Sequence, residues 1–308
     1  MRQNLNEEIG MKLIYQEVKS KEEVLKAMTS LTQSEFEKLA IYFEEALQVK
    51  LPPKAPRKGG RPPHLQTIED QLFFILFYFK TYPLQEVLGY LFGMDQSQAN
   101  EWIYKLTPVL HEALRRADCI PARKSEAFLA LLTEETESQN LGIDGTERRI
   151  NRPREPTRQT TYYSGKKKAP TVKNDLIAGL EDRHIKYLSE TCPGRVSDKK
   201  IADQAALGYP KGASLYQDKG FQGYAPAGVM VQQPKKKPKG GDLTNEEAEQ
   251  NRLISRVRIA VEHVIGGIKR MRIVKDVFRN QKLNFEDLVM EVACGLHNFR
   301  TDYRLMAY

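Results

Sequence analysis

Three acidic residues stand where a carboxylate can do chemistry. Asp144 lies in "GIDGTE", near the end of a β-type run, flanked by Gly142 and Gly145, which leave room for backbone or ligand to come close. Asp218 ends a later β-type run in "YQDKGF". Glu262 belongs to the helical stretch "RVRIAVEHVIGGIK", Arg256 to Lys269. At about 100° per residue, Arg258, Glu262 and Lys269 fall within roughly 40° of one another. Val257, Val261, Val264, Ile265 and Ile268 form an apolar arc beside that stripe. Taken singly, an aspartate at a strand end is a turn or cap residue, and a helical Glu beside Arg and Lys is a solvated pair. Taken together, three converging carboxylates repel unless a cation neutralises them. Hard divalent ions such as Mg²⁺ prefer such oxygen donors, with water and phosphate filling the other positions.

The elements that must position these groups change character along the chain. Up to about Asp118 the pattern is helical. "LTQSEFEKLAIYFEEAL" opens on a capping Thr32 or Ser34, and a buried helix is expected over Ile68 to Lys80. Next, an amphipathic helix (Leu84 to Phe92) meets a turn at Gly93, Met94 and Asp95, and a second helix starts at Gln96. This outlines a helix-turn-helix over about 84–107, with Gln98 and Asn100 exposed on the second helix and Trp102 turned to the core. "GGRPP" (Gly59 to Pro63) is an incomplete minor-groove arm within a Pro/Gly-rich linker.

Beyond a polar spacer, "NLGIDGTERRI", "TTYYSGKK", "TVKNDLIAGLED" and "HIKYLSETC" read as short strands. A short helix, "SDKKIADQAAL", precedes the strand "ASLYQDKGF". Thr244 to Glu247 forms a capping box for the helix that carries Glu262, and a last helix covers about Asn284 to Tyr303. The expected fold class is α+β: a helical domain over 1–118, a linker over 119–139 and a second domain over 140–308.

Charge narrows the partner. The 308 residues carry a net charge of +8, unevenly placed. "RRINRPREPTRQTTYYSGKKK" (Arg148 to Lys168) holds eight basic residues against one acidic, and "QQPKKKPKGG" (Gln232 to Gly241) adds a second cluster. Basic blocks on a globular chain point to a polyanion, nucleic acid above all. Three scattered cysteines, Cys119, Cys192 and Cys294, support neither a disulfide framework nor a zinc site and read as reduced thiols of a cytosolic protein. The apolar run "LFFILFYF" (Leu72 to Phe79) is too short to span a bilayer, and no membrane partner is expected.

At the acidic residues the sequence resembles the DDE transposases of bacterial insertion sequences, of the insertion-sequence-five type, related to Harbinger-type elements. That group carries an Asp in a strand, then D-x-G-[F/Y], then R-x3-E-x6-K. Here these are Asp144, Asp218-Lys219-Gly220-Phe221, and Arg258, Glu262 and Lys269, with both internal spacings intact. "YYSGKKK", "KKPKG" and "VEHVIGGIKR" add to the likeness. In "PGRVSDKKI" relatives often show a histidine before the aspartate, whereas Ser197 precedes Asp198 here.

The resemblance implies a ribonuclease-H-like catalytic domain over 140–308 behind the helix-turn-helix domain. It implies two divalent metal ions, Mg²⁺ or Mn²⁺, held by Asp144, Asp218 and Glu262. Arg258 and Lys269 would clamp phosphate, Lys166, Lys167 and Lys168 would hold the DNA backbone, and Gln98 and Asn100 would read bases. Asp198 is the second choice for the middle carboxylate, but it opens a helix and reads better as a first-turn acid. His263 points about 100° away from Glu262 and is assigned to packing or DNA contact. The expected partners are double-stranded DNA, as element ends and target, and further copies of the chain in a dimer or higher oligomer, at the bacterial nucleoid in the cytoplasm. A silent DNA-binding regulator and a nuclease without strand transfer remain the alternatives.

Overall fold

The computed structural model describes residues 12–52, 63–134, 139–238 and 240–305. They fall into two compact units, Met1–Cys119 with Arg270–Ile273, and Ile120–Lys269 with Val274–Tyr308.

Among the described residues the first unit is built from the helices α1 (Tyr15–Val18), α2 (Glu22–Thr29), α3 (Gln33–Lys50), α4 (Ile68–Thr81), α5 (Gln85–Leu91) and α6 (Gln96–Arg116). Thr32 and Glu35 close a reciprocal capping box at the start of α3. The run Leu72–Phe79 is buried on every side of α4. There Phe73, Phe74 and Phe77 pack around Phe92 with ring centroids 5.9, 5.0 and 5.6 Å apart. The turn between α5 and α6 places Gly93 at φ +67°, a conformation that only glycine adopts without strain. Most of the arm-like stretch around Arg61 lies outside the described residues.

The second unit is a mixed sheet flanked by helices. Its strands are β1 (Asn140–Arg149), β2 (Tyr163–Ser164), β3 (Ala169–Gly179), β4 (Ile185–Leu188), β5 (Cys192–Pro193), β6 (Ser214–Tyr216) and β7 (Met230–Gln232). Strand β3 pairs antiparallel with β1, β2, β4 and β5, whereas β6 runs parallel to β1 and β7 parallel to β6. Antiparallel strands on one side of β1 and parallel ones on the other give the ribonuclease-H-like order β4-β3-β1-β6-β7. The helices are α7 (Ser125–Glu134), α8 (Pro156–Tyr162), α9 (Asp198–Ala205), α10 (Asn245–Ile268), α11 (Arg272–Lys275), whose first two residues are counted with the first unit, and α12 (Phe285–Leu305).

Two stretches differ from their sequence reading. The segment 119–139 contains α7, whose Phe128 and Leu132 are buried with Leu141, Ile143, Ile177 and Leu215, so it contributes to this core. "TTYYSGKK" is mostly not a strand, because Pro156 at the first turn starts α8 and only Tyr163 and Ser164 remain for β2. Among the described residues no helix is long and apolar enough to cross a membrane. The three cysteines are thiols outside any disulfide, Cys119 and Cys294 buried and Cys192 half-buried.

Candidate active site and DNA interface

Strand β1 is the spine of the site. Its alternate residues Gly142, Asp144, Thr146 and Arg148 share one face, and Ile143 and Gly145 share the other. On the first face α10 comes very close, since a Cβ at Gly142 would lie 2.1 Å from Val261 Cγ2. One turn before Glu262 on α10, Arg258 places Nη2 3.9 Å from Asp144 Oδ2. Glu262 follows Val261 directly and is exposed.

Asp144 accepts the Gly145 N–H at 2.8 Å. Burial pushes its carboxyl up to about 6, Asp218 and Asp198 add to the rise, and the Gly145 N–H and the Arg258 guanidinium oppose it. Asp218 caps a single helical turn at Lys219–Phe221, accepting the Gly220 N–H at 2.6 Å. The D-x-G-F pattern thus has a local cause. The aspartate caps, Phe221 is buried, and a Cβ at Gly220 would meet Asp218 Oδ1 at 2.8 Å and Asp198 Oδ2 at 3.4 Å.

Asp198 does open α9, behind the cap Ser197. Its carboxylate nevertheless belongs to the cluster, bound to Lys173 Nζ at 3.0 Å and facing the Asp218 turn. A fourth carboxylate escaped the sequence reading. Asp175 on β3 pairs in register with Gly145 and is 1% exposed. A Cβ on Gly145 would sit 3.3 Å from Asp175 Oδ1 and 3.2 Å from Asp198 Oδ1. Burial pushes the Asp175 carboxyl up to about 9, with Asp198 adding and Lys173 opposing. Both its oxygens are buried without a hydrogen-bond partner.

The structure therefore gathers Asp144, Asp175, Asp198 and Asp218, while Glu262 stands on the adjoining helix. Lys269 caps the C-terminus of α10, half-buried. Burial and the nearby Lys167 lower its pKa, against the pull of Asp144 and Glu147. Lys167 reaches it from the exposed turn Gly165–Lys168 between β2 and β3. His263 is exposed.

Residues 143–298 match the family described as DDE superfamily endonuclease, and residues 63–116 match its helix-turn-helix domain. The chain belongs to the DDE superfamily endonucleases. It is 30% identical over 251 residues to a probable transposase for insertion sequence element IS702 of Microchaete diplosiphon, covering 82% of this chain and 87% of that one. It also aligns with a piggyBac transposase solved as a synaptic complex with hairpin DNA, at 10% identity and a TM-score of 0.38, covering 92% of this chain and 75% of that one.

In the helix-turn-helix of this DDE endonuclease, Asp95 and Gln98 form a reciprocal capping box at the start of α6. Gln98 Oε1 accepts the Asp95 N–H at 3.1 Å, and Asp95 Oδ1 accepts the Gln98 N–H at 2.8 Å. Asn100 Nδ2 and Gln96 Nε2 both donate to Gln85 Oε1 of α5, at 3.0 and 2.7 Å. Gln98, Asn100 and Trp102 are half-exposed, and the Lys105 ammonium lies 5.5 Å over the Trp102 ring.

The basic block from Arg148 to Lys168 is not one surface. Arg148 is buried, its Nη1 and Nη2 donating to Glu286 O at 3.1 Å and its Nη2 to Asn174 Oδ1 at 3.2 Å. It is a packing residue because β1 alternation turns it inward. Lys166, Lys167 and Lys168 are all exposed. In the second cluster Lys235 pairs with Glu247 and Lys237 with Asp242, while Lys239 lies outside the described residues.

Proposed function

We propose that this chain is a transposase whose helix-turn-helix unit binds the ends of its element and whose second unit cuts and joins DNA. The observation that carries the reading is the acidic cluster built around β1, with Arg258 drawn to Asp144 and Glu262 one turn further along α10.

The donor chemistry fits a divalent cation. All donors are carboxylate oxygens, the hard ligands that suit Mg²⁺, and the oxygens of buried Asp175 have no hydrogen-bond partner. Among the described residues no three such groups close around one point. Mg²⁺ nevertheless takes one or two carboxylates and completes its shell with water and phosphate. Asp144, Asp218 and Glu262 would hold the ions, with Asp198 beside Asp218 as a further donor. When bound, two such ions would activate the attacking hydroxyl and stabilise the leaving oxygen.

The chain's own residues do the rest. Arg258 and Lys269 face the same region as Asp144 and suit a phosphate clamp, with the planar guanidinium able to grip two oxygens. The lysine turn 166–168 adds positive charge beside Lys269 for the passing backbone. Burial of Asp144 keeps water from screening these charges, and fixed positive groups lower the barrier most in such a setting.

The test is incubation with Mg²⁺ and linear DNA bearing the terminal repeats. Joined products are expected. Cuts without joining would mark a nuclease, and neither product a silent DNA-binding protein. Asp144→Asn, Asp218→Asn and Glu262→Gln should each abolish cleavage while repeat binding persists, and double variants should be scarcely worse than single ones. Three singly substituted proteins that still cut would overturn the carboxylate assignment.

A further inference from the structure

The buried, unpartnered carboxylate of Asp175 has no role in the three-carboxylate scheme. A buried carboxyl group whose two oxygens have no hydrogen-bond partner is costly for a fold to hold. Its surroundings offer little relief. The cross-strand neighbour on β1 is Gly145, which has no side chain, and the facing group from α9 is another carboxylate, Asp198. The neighbouring cation Lys173, on β3 itself, gives its hydrogen bond to Asp198.

The two aspartates converge. Asp175 Oδ1 and Asp198 Oδ1 lie 3.3 and 3.2 Å from a single point over Gly145, the place a Cβ would fill. Any other residue at 145 would put carbon there. Asp198 keeps 27% of its side chain exposed, so an ion can reach the pair from solvent through that side. Strand alternation puts this point on the face of β1 opposite Asp144's own.

We propose that Asp175 and Asp198 hold a divalent cation over Gly145, with water completing its shell. The inference rests on the divalent-metal reading above and adds to it a cation on the other face of β1, held through Asp175, a residue outside the D-x-G-F and R-x3-E-x6-K pattern. Two carboxylates with several waters is the coordination Mg²⁺ favours over an all-protein cage. Cation entry displaces the Lys173 ammonium from Asp198 and neutralises the pair.

The test is metal uptake by the full chain without DNA, so that cleavage is not the readout. Mn²⁺ binding is followed by electron paramagnetic resonance of the free ion, and melting is recorded with Mg²⁺ and with a chelator. Asp175→Asn keeps the shape and removes the carboxylate a cation would need. It should bind Mn²⁺ at least tenfold more weakly and lose the rise in melting temperature caused by Mg²⁺. Wild-type Mn²⁺ affinity together with a wild-type Mg²⁺ shift in this variant would overturn the proposal, as would a natural protein that takes up no Mn²⁺ at millimolar concentration. Asp144→Asn separates the two readings. If it weakens Mn²⁺ binding and Asp175→Asn does not, the three-carboxylate reading stands and this one falls.

Discussion

Gly142 of β1 and Val261 of α10 touch so closely that no side chain fits between them, a Cβ at 142 coming 2.1 Å from Val261 Cγ2 and 3.0 Å from Leu180 Cδ2. That contact sets the height of α10 over the strand, and with it the approach of Arg258 to Asp144. Gly142→Ala should push the helix away, lowering both the melting temperature and the cleavage rate. Val261→Ala removes the offending methyl groups, so the double variant should recover part of both losses, a non-additivity expected only of touching residues. Additive losses would show that the two positions act apart.

The adjacent glycines of "VIGGIK" should behave oppositely. A Cβ at Gly267 would lie 2.4 Å from His297 Nδ1 of α12, and Gly267 O accepts from Arg300 Nη2 at 2.8 Å. Gly266 is exposed and a Cβ there meets nothing within 4 Å. Overpacking by Gly267→Ala should cost about 1–3 kcal/mol. Gly266→Ala should gain about 0.5–1 kcal/mol through helix propensity. Urea unfolding of the two variants measures both signs, and equal effects would refute the packing asymmetry.

The helix-turn-helix unit carries a pH dependence of known sign. Buried Glu112 accepts from Arg115 Nε at 2.9 Å and Nη2 at 2.7 Å, and from Arg116 Nε at 3.1 Å. The Arg115 hydrogen bonds, against burial, hold its carboxyl down to about 2 from an ordinary 4.5. A depressed folded value means stability present above about pH 4.5 and lost as pH falls towards 2. Glu112→Gln should melt lower than the natural protein at pH 7, and the gap should close as the pH is lowered through that window. A gap unchanged by pH would show that the ionised form contributes nothing.

The exposed turn Lys166–Lys168 should govern nonspecific DNA binding. Each phosphate contact contributes about 0.9 to the slope of log affinity against log salt. Replacing the three lysines with glutamine should flatten that slope by up to about 3. Replacing Lys235 and Lys237 should change it less, because both are paired with carboxylates of their own chain. An unchanged slope in the first variant would mean that the turn faces away from DNA.

The local signals of the sequence carried well into structure where a residue acts on its near neighbours. Thr32 with Glu35 and Thr244 with Glu247 form the expected caps, and the turn at Gly93 ends one helix and begins the next. Asp175 was hidden for a different reason. It sits inside "TVKNDLIAGL", and only the register of β3 on β1 brings it opposite Gly145, 30 positions earlier in the chain. Such pairing is set by the whole connection between the strands, which includes the unforeseen helix α8. Arg148 could have been found, since it follows Asp144 and Thr146 at alternate positions of one strand. Its membership of a basic run concealed the alternation. Asp198 combined both effects, being a first-turn acid by sequence and a cluster member only through the placement of α9.

Base reading by Gln98 and Asn100 must contend with the bonds they already make. Gln98 closes the cap of α6 through its carbonyl oxygen and leaves its amide N–H groups for DNA. Asn100 has given one N–H to Gln85 and must break that bond to grip adenine through both its groups. Replacement of Gln98 by alanine would confuse two losses, the cap and the contact. Gln98→Glu separates them, because a carboxylate still accepts the Asp95 N–H but cannot donate to a base. Its melting temperature should therefore stay near that of the natural protein, while its preference for terminal-repeat over random DNA falls by roughly 1–3 kcal/mol, or about five- to 150-fold. The added negative charge weakens binding to both DNAs alike and cancels in the ratio. Gln85→Ala should act in the opposite sense on Asn100, freeing its amide and leaving repeat preference equal or higher. A Gln98→Glu protein that keeps the natural preference would show that this face of α6 positions the helix without reading sequence.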